Sequence, residues 1–308
     1  MANFSDVRTW VPTDIAGERI AIGQPLPGLE VLSACGSTRH WSEPLHEMFT
    51  IAAVRADQPS TATEWRTRGR SLVTAVGQLM NINAGDGHKT VRVHAPAAFD
   101  AIRLAPSWIE SAAAAADAGP PFRFKSPVSD NANVFAAIRR LVRAVAQGEP
   151  PFVLESACQE LAHTIVTELA EASPRSSRRT HPVRDFRLRR VREALIDQPS
   201  ARPGLDVLER DTGLGKSQLC ALFRTEYGVS IGQFWTGCRV AKGRSLLLQG
   251  VPAKYVAADL GFTDEAYFSR VFRRYNGLPP VRWVSLYRRN TRLSPGHSPP
   301  GGPDQQNA

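Results

Sequence analysis

Residues 251–288, VPAKYVAADLGFTDEAYFSRVFRRYNGLPPVRWVSLYR, alternate short apolar stripes with glycines and prolines. Val256, Ala257 and Leu260 fall on one side of a short helix. We expect Gly261 to end this helix, because glycine adopts left-handed backbone angles without steric cost. The stretch therefore begins with a short amphipathic helix and a tight turn.

A second helix follows the turn, and either Thr263 or Asp264 is expected to cap its N-terminus. Its apolar residues recur at three- and four-residue spacing and are Phe268, Val271, Phe272 and Tyr275. Its outer face consists of Glu265, Ala266, Ser269, Arg270, Arg273 and Arg274. Two short helices joined by a tight turn, with a basic outer face on the second, are the layout of a helix-turn-helix.

A less regular copy of this pattern lies upstream. Helices are predicted at 205–211 and 216–226, and a long helix at about 230–249 connects the two units. The outward-facing residues of the second of these helices are Lys216, Ser217, Gln218, Ala221 and Arg224. The long helix contains Gly243, which costs about 1 kcal/mol relative to alanine and indicates either close packing or no constraint at all.

These positions resemble the DNA-binding domain of the AraC/XylS family of bacterial transcription regulators. The matching residues are Val256-Ala257, Gly261-Phe262, Tyr267-Phe268, Arg270, Phe272, Gly277, Pro279 or Pro280, Tyr287-Arg288, and upstream Arg239 with Leu246-Leu247. The resemblance implies an all-α domain at 185–290 with helix-turn-helix units at 205–227 and 254–276. It also implies double-stranded DNA as the partner.

The resemblance also sorts the exposed residues by role. Positions that face bases in the family are occupied by Ser217, Gln218, Ala221, Glu265, Ala266, Ser269 and Arg270. We assign Arg224, Arg273 and Arg274 to phosphates, and an ion pair of Arg270 with Asp259 or Glu265 remains an alternative. Glu209 stands where the family commonly has alanine, and Gly215 where it has a serine cap, so we expect helix 205–211 to be displaced or frayed.

The charge distribution supports a polyanionic partner. Residues 181–290 hold 19 Lys and Arg against 10 Asp and Glu, whereas residues 1–170 hold 15 against 17. The net charge of +9 therefore sits in the C-terminal third. A cationic domain attached to a nearly neutral one suits a regular array of phosphates.

Residues 1–105 are expected to be β-rich. Short apolar runs at 28–32, 48–54, 71–76 and 90–94 are separated by turn residues, which is typical of a sandwich or barrel. Segments 41–46 and 77–88 resemble the cupin-like sensor barrel of many AraC/XylS regulators, although Ala84-Gly85 replaces the usual Pro-Gly. A small-molecule effector pocket is expected to be lined by Trp41, His46, Phe49, Trp65 and His88.

Helices are predicted at 106–119, with Ser107 as the cap, and in a hairpin at 133–147 and 152–172. The apolar stripes of the hairpin either pack on the β-structure of the same chain or join two chains in a homodimer. Segment 173–184 is expected to be an interdomain linker and 291–308 a disordered tail.

Composition excludes several classes of protein. No apolar run of eighteen residues predicts a membrane span, and the N-terminus lacks the pattern of a signal peptide, so we expect a cytoplasmic protein. Four scattered cysteines argue against a disulfide framework or a zinc cluster. No catalytic motif is present, so we expect no catalytic residue, no metal and no cofactor.

The leading hypothesis is a sequence-specific transcription regulator whose N-terminal domain binds an effector. The resemblance favours an activator, which would also contact RNA polymerase. One alternative is a metal-dependent cupin-type enzyme tethered to DNA, with His46, His88, His94 and Glu47 as candidate ligands. Another is a constitutive DNA-binding protein whose β-domain is only a scaffold.

Overall fold

A computed structural model describes residues 13–15, 18–38, 40–43, 45–56, 62–118, 122–171, 186–201 and 204–291. The N-terminal part is β-rich, as predicted. Its strands are β1 Thr13–Ile15, β2 Glu18–Leu26, β3 Leu29–Ser37, β4 Ser42–Glu43, β5 Phe49–Val54, β6 Thr63–Thr67, β7 Arg70–Thr74, β8 Leu79–Ile82, β9 His88–Val93, β10 Ala97–Leu104 and β11 Val128–Ser129.

The strands pair into two antiparallel sheets. A seven-stranded sheet has the order β1-β2-β3-β10-β5-β8-β11, and a four-stranded sheet has the order β4-β9-β6-β7. The central strand β10 pairs on both sides, so that Ile102 lies opposite Val31 of β3 and Ile51 of β5. The barrel that we predicted thus takes the form, within the described residues, of two sheets with a cavity between them.

Ten helices lie within the described residues. They are α1 Pro106–Ala115, α2 Ala132–Gln147, α3 Pro151–Leu169, α4 Phe186–Asp197, α5 Leu205–Thr212, α6 Lys216–Tyr227, α7 Ile231–Leu248, α8 Ala253–Asp259, α9 Glu265–Asn276 and α10 Pro280–Thr291. None of these helices has the length and apolarity needed to cross a membrane.

Helices α1, α2 and α3 cover the outer face of the seven-stranded sheet. The apolar stripes of α2 and α3 share one core with strand residues such as Leu29 and Ile102, so the hairpin packs on its own chain. Asn131 caps α2 by accepting a hydrogen bond from the Val134 amide. The predicted cap of α1 is wrong: α1 begins at Pro106, and Ser107 lies inside it, since proline at the first helical position needs no N–H partner.

Helix α7 ties two smaller cores together. Its N-terminal half contributes Ile231 and Phe234 to the core of α4, α5 and α6, and its C-terminal half contributes Leu247 to the core of α8, α9 and α10. The exposed Leu248, which we had placed in the stripe, is replaced there by Leu247. Ser230 and Gln233 form a capping box that fixes the start of α7, as the sequence indicated.

Gly243 is present because α7 packs closely against the second core. A Cβ at Gly243 would lie 3.2 Å from both the Leu260 Cδ1 and the Phe268 Cε2 atoms, and both side chains are fully buried. Of the two explanations left open by the sequence, close packing is the one that the structure supports.

The expected displacement of the helix at 205–211 is wrong. Helix α5 is regular from Leu205 to Thr212 and ends at Gly213 in the left-handed conformation. The side chain of Glu209 is half-buried rather than enclosed, and it lies beside Gly215, so its carboxylate stays accessible to water. Segment 173–184, predicted as a linker, and residues 292–308 of the predicted tail lie outside the described residues.

Candidate nucleic-acid interface and buried pocket

The second helix-turn-helix unit consists of α8, a turn at 260–264 and α9. Gly261 turns the chain with φ +67°, and the Asp264 carboxylate then accepts a hydrogen bond of 2.6 Å from the Tyr267 amide. Helix α9 ends at Gly277, which is left-handed with φ +77°. These local signals set both ends of α9, as the sequence predicted, and Asp264 rather than Thr263 is the cap.

A buried arginine of α7 holds the turn of this unit in place. The Arg239 Nε atom donates a hydrogen bond of 2.7 Å to the Leu260 carbonyl oxygen. Its guanidinium lies 3.6 Å from the ring centroid of Phe262 and 4.4 Å from that of Trp235. Burial lowers the pKa of Arg239 from its usual value, and the two ring faces compensate the buried charge.

The first unit has the same geometry. Helix α6 begins at Gly215, which provides no side-chain cap, and ends at the left-handed Gly228. Phe223 is fully buried and packs against Tyr227 and Phe234 with ring centroids 4.5 Å and 5.5 Å away. Its apolar side therefore faces α7, and its polar side faces away from the core.

The predicted DNA-contacting residues lie on the outer faces of α6 and α9. Ser269 is half-buried, and the other ten side chains are exposed, namely Lys216, Ser217, Gln218, Ala221, Arg224, Glu265, Ala266, Arg270, Arg273 and Arg274. Both helices are held on α7 through their opposite faces. The eleven positions are therefore available to a ligand as large as a DNA duplex.

Two of these cations differ in their partners. Lys216 forms an ion pair with Asp206 of α5, which raises the pKa of Lys216 and lowers the pKa of Asp206. Arg270 lies 5.9 Å from the ring centroid of Tyr267. No ion pair of Arg270 with Asp259 or Glu265 is formed in the described part of the chain, so its guanidinium is available for another acceptor.

A cavity of about 90 Å³ lies between the two sheets of the N-terminal part. Four of the five predicted effector residues line it: Trp41, His46, Trp65 and His88. Phe49 does not, because side chains alternate along β5; Thr50, Ala52 and Val54 face the cavity, and Phe49 packs against Phe122 and Phe124 under the helices.

His46 and His88 form a buried pair at one side of the cavity. The His46 Nε2 and His88 Nδ1 atoms are 2.7 Å apart, and His46 Nδ1 lies 2.9 Å from the Thr50 hydroxyl oxygen. Burial is the main cause that lowers the pKa of both rings, to about 3 for His88. Both imidazoles are therefore neutral at physiological pH.

The other candidate metal ligands do not join this pair. His94 is bonded to Glu64 on the exposed end of β9, 2.7 Å between Nε2 and Oε1, and Glu47 is exposed. Among residues that the structure describes, no three His, Cys, Asp or Glu side chains are grouped to hold a metal ion.

A cluster of four charges joins the N-terminal part to α7, and sequence reasoning missed it. Arg103 of β10 contacts Glu43 at 2.5 Å and Glu30 at 3.4 Å, while Arg244 of α7 forms an ion pair with Glu30 and lies 4.0 Å from Glu43. Each residue is on a different element, so no local pattern could have indicated the cluster.

The reading helix α9 also reaches the cavity. Tyr275, which we had assigned to the apolar stripe of α9, lines the cavity together with Trp41 and Arg103. The His40-Trp41 segment borders a surface groove with Arg270, Arg273 and Arg274. At the first unit, a Cβ on Gly69 of the β6–β7 turn would collide with the Thr225 carbonyl oxygen at the end of α6. The N-terminal part thus touches both units.

Comparison with known proteins agrees with this geometry. Residues 208–296 match the model of a helix-turn-helix domain family. The arabinose operon regulatory protein of Escherichia coli is 31% identical over 103 residues, which are 32% of this chain and 35% of that protein. The HTH-type transcriptional regulator MtrA of Neisseria gonorrhoeae is 29% identical over 101 residues, 32% of this chain and 33% of that protein.

The whole fold also has a counterpart among solved structures. An apo form of ToxT from Vibrio cholerae covers 84% of this chain and 97% of its own, with a TM-score of 0.50 and 9% identity. At this identity the likeness shows the fold alone: a β-rich domain followed by a helical one.

The fold and the exposed basic faces of α6 and α9 define a protein with a double helix-turn-helix domain. In this C-terminal domain the chain belongs to the AraC/XylS family. The matched region spans about a third of the length of the curated relatives.

Proposed function

We propose that this chain is a sequence-specific transcription regulator that binds double-stranded DNA through α6 and α9. The observation that carries the proposal is the placement of two outward-facing polar helices on the single helix α7, which fixes their spacing. Two reading helices on one rigid support can enter successive major grooves on one face of a duplex. Gln and Arg side chains supply base contacts, and the remaining cations supply phosphate contacts.

The cavity supports control of DNA binding by a small effector. Tyr275 belongs to α9 and lines the cavity, so a ligand there would touch the helix that carries Arg270. The charge cluster of Glu30, Glu43, Arg103 and Arg244 connects the same region to α7. An effector therefore has a direct route to the second unit, and by family resemblance the regulator acts as an activator in contact with RNA polymerase.

Full-length protein is expected to retard DNA from the region flanking its own gene in a gel-shift assay. Lys216, Arg224, Arg273 and Arg274 are the exposed cations assigned to the DNA backbone. Four phosphate contacts give a slope of log K against log salt of about −4, since each contributes about −0.9.

Two controls define the outcome of this assay. A shuffled duplex of the same composition should bind at least about a thousandfold more weakly, as non-specific DNA does. Equal affinity for both duplexes, or binding that salt leaves unchanged, would contradict a sequence-specific regulator. Variant Lys125→Ala, in the N-terminal part, should bind as the unchanged protein does, because Lys125 lies outside both units.

A further inference from the structure

The direction of the hydrogen bonds around the histidine pair can be read from its neighbours. The Glu43 Oε2 atom lies 3.7 Å from His46 Nδ1, and the Thr50 hydroxyl oxygen lies 2.9 Å from the same nitrogen. A carboxylate is an acceptor only. The Thr50 hydroxyl points its proton at the Met48 carbonyl oxygen, 3.4 Å away, and so presents a lone pair to His46. Both neighbours place the proton of His46 on Nδ1.

The proton of His88 follows from that of His46. A neutral imidazole has one N–H and one lone pair, so His46 Nε2 is an acceptor when Nδ1 carries the proton. His88 Nδ1, 2.7 Å away, must then be the donor. The remaining nitrogen, His88 Nε2, is left with a bare lone pair, and it has no hydrogen-bond partner among the described residues.

The donors nearest to His88 are already engaged. Trp65 lies against the His88 ring, but its indole N–H donates to the Thr74 hydroxyl at 2.8 Å. The Thr90 hydroxyl donates to the Trp41 carbonyl oxygen at 2.6 Å. A donor for His88 Nε2 must therefore come from a molecule inside the cavity.

The cavity favours an uncharged molecule. Much of its wall is apolar, including Leu32, Ala52, Val54, Met80, Phe99 and Ala101. The charges at its edge neutralise each other, because Arg103 contacts both Glu43 and Glu30. A free carboxylate or ammonium ion would lose its hydration there without gaining an unopposed countercharge.

The cavity also limits the size of its ligand. Its volume of about 90 Å³ is smaller than the about 150 Å³ of an engineered cavity that takes benzene. A ligand of about four to six non-hydrogen atoms fills such a space.

We propose that the cavity between the two sheets binds a small uncharged alcohol whose hydroxyl donates a hydrogen bond to His88 Nε2. This proposal rests on the effector role proposed above and names the chemical class of the effector. The alkyl part of the alcohol packs against Ala52 and Met80, and Tyr275 of α9 lies within its reach.

Three probes of equal size test the class directly: butan-2-ol, butan-2-one and propionate, each with five non-hydrogen atoms. Binding to full-length protein is measured by isothermal titration calorimetry with competition by saturation-transfer NMR. We expect saturable binding of butan-2-ol, about tenfold tighter than that of butan-2-one, which cannot donate, and of propionate, which is charged. Tighter binding of the ketone or of propionate, or no binding of the alcohol, overturns the proposal.

Two variants locate the contact. His88→Leu should reduce butan-2-ol binding about tenfold and bring it level with butan-2-one, whereas His94→Leu, the same change at an exposed histidine outside the cavity, should leave binding unchanged. Because His88→Leu also removes the partner of His46, ¹⁵N NMR of the unchanged protein provides a second readout. A protonated Nε2 on His88 contradicts the proposal whatever the variant does.

The gel-shift assay separates this proposal from the proposed function. Specific DNA binding without alcohol binding leaves a DNA-binding regulator and overturns only the alcohol as its ligand. Alcohol binding that leaves DNA affinity unchanged supports the ligand class at His88 and contradicts its role as an effector.

Discussion

Replacing Phe268 with alanine is expected to lower the free energy of unfolding of the C-terminal domain by about 3–5 kcal/mol. Phe268 is fully buried in α9, with ring centroids 5.1 Å from Phe262 and 5.5 Å from Phe272. Its ring also lies against Gly243 of α7, so removing it opens a cavity between the reading helix and its support. Urea unfolding followed by far-UV circular dichroism measures the loss.

The neighbouring Tyr267 provides the matched control. Its side chain is 43% exposed, so Tyr267→Ala removes an aromatic ring from the same helix without opening a buried cavity. We expect this variant to lose less than about 1 kcal/mol, as surface substitutions do. Similar losses in both variants would show that the inner face of α9 is not the packed face.

Replacing Arg270 with alanine is expected to weaken specific DNA binding by about 1–3 kcal/mol, or roughly five- to 150-fold, and to relax the preference at one base pair. Arg270 is exposed on α9, and a guanidinium offers a two-donor fork that suits guanine. The Tyr267 ring beside it limits the directions that the side chain can take. Binding to a panel of single-base variants of the site gives both quantities.

Arg224 of α6 is the control for Arg270, because it is also exposed but assigned to a phosphate. Arg224→Ala should weaken binding to all sequences equally and make the salt slope shallower by about one phosphate. If both variants lose the same affinity with unchanged sequence preference, Arg270 is a backbone contact and not a base reader.

The helical domain was predictable because its elements are set by local signals. The Asp264 cap, the left-handed Gly261 and Gly277, and the capping box at Ser230 each act within a few residues of the boundary that they fix. The outer faces of α6 and α9 followed from the same periodicity, since residues three and four apart share a face.

The N-terminal site was only partly predictable, because its residues meet through sheet pairing. Phe49 and Thr50 are neighbours in sequence but face opposite sides of β5, and the residue type alone does not show which side is the cavity. The ion pair between Glu30 and Arg244 joins residues 214 positions apart. Glu209 misled us because its exposure depends on how α5 lies on α4 and α6.

The central claim is that two helices of one chain read DNA sequence together. Selection of binding sites by the full-length protein from a random duplex pool tests it most directly. We expect a motif with two submotifs about 10 base pairs apart, the spacing of successive major grooves, and the loss of one submotif in Arg270→Ala. A selected pool without sequence preference, or a single submotif that neither Arg270→Ala nor Gln218→Ala alters, would contradict it.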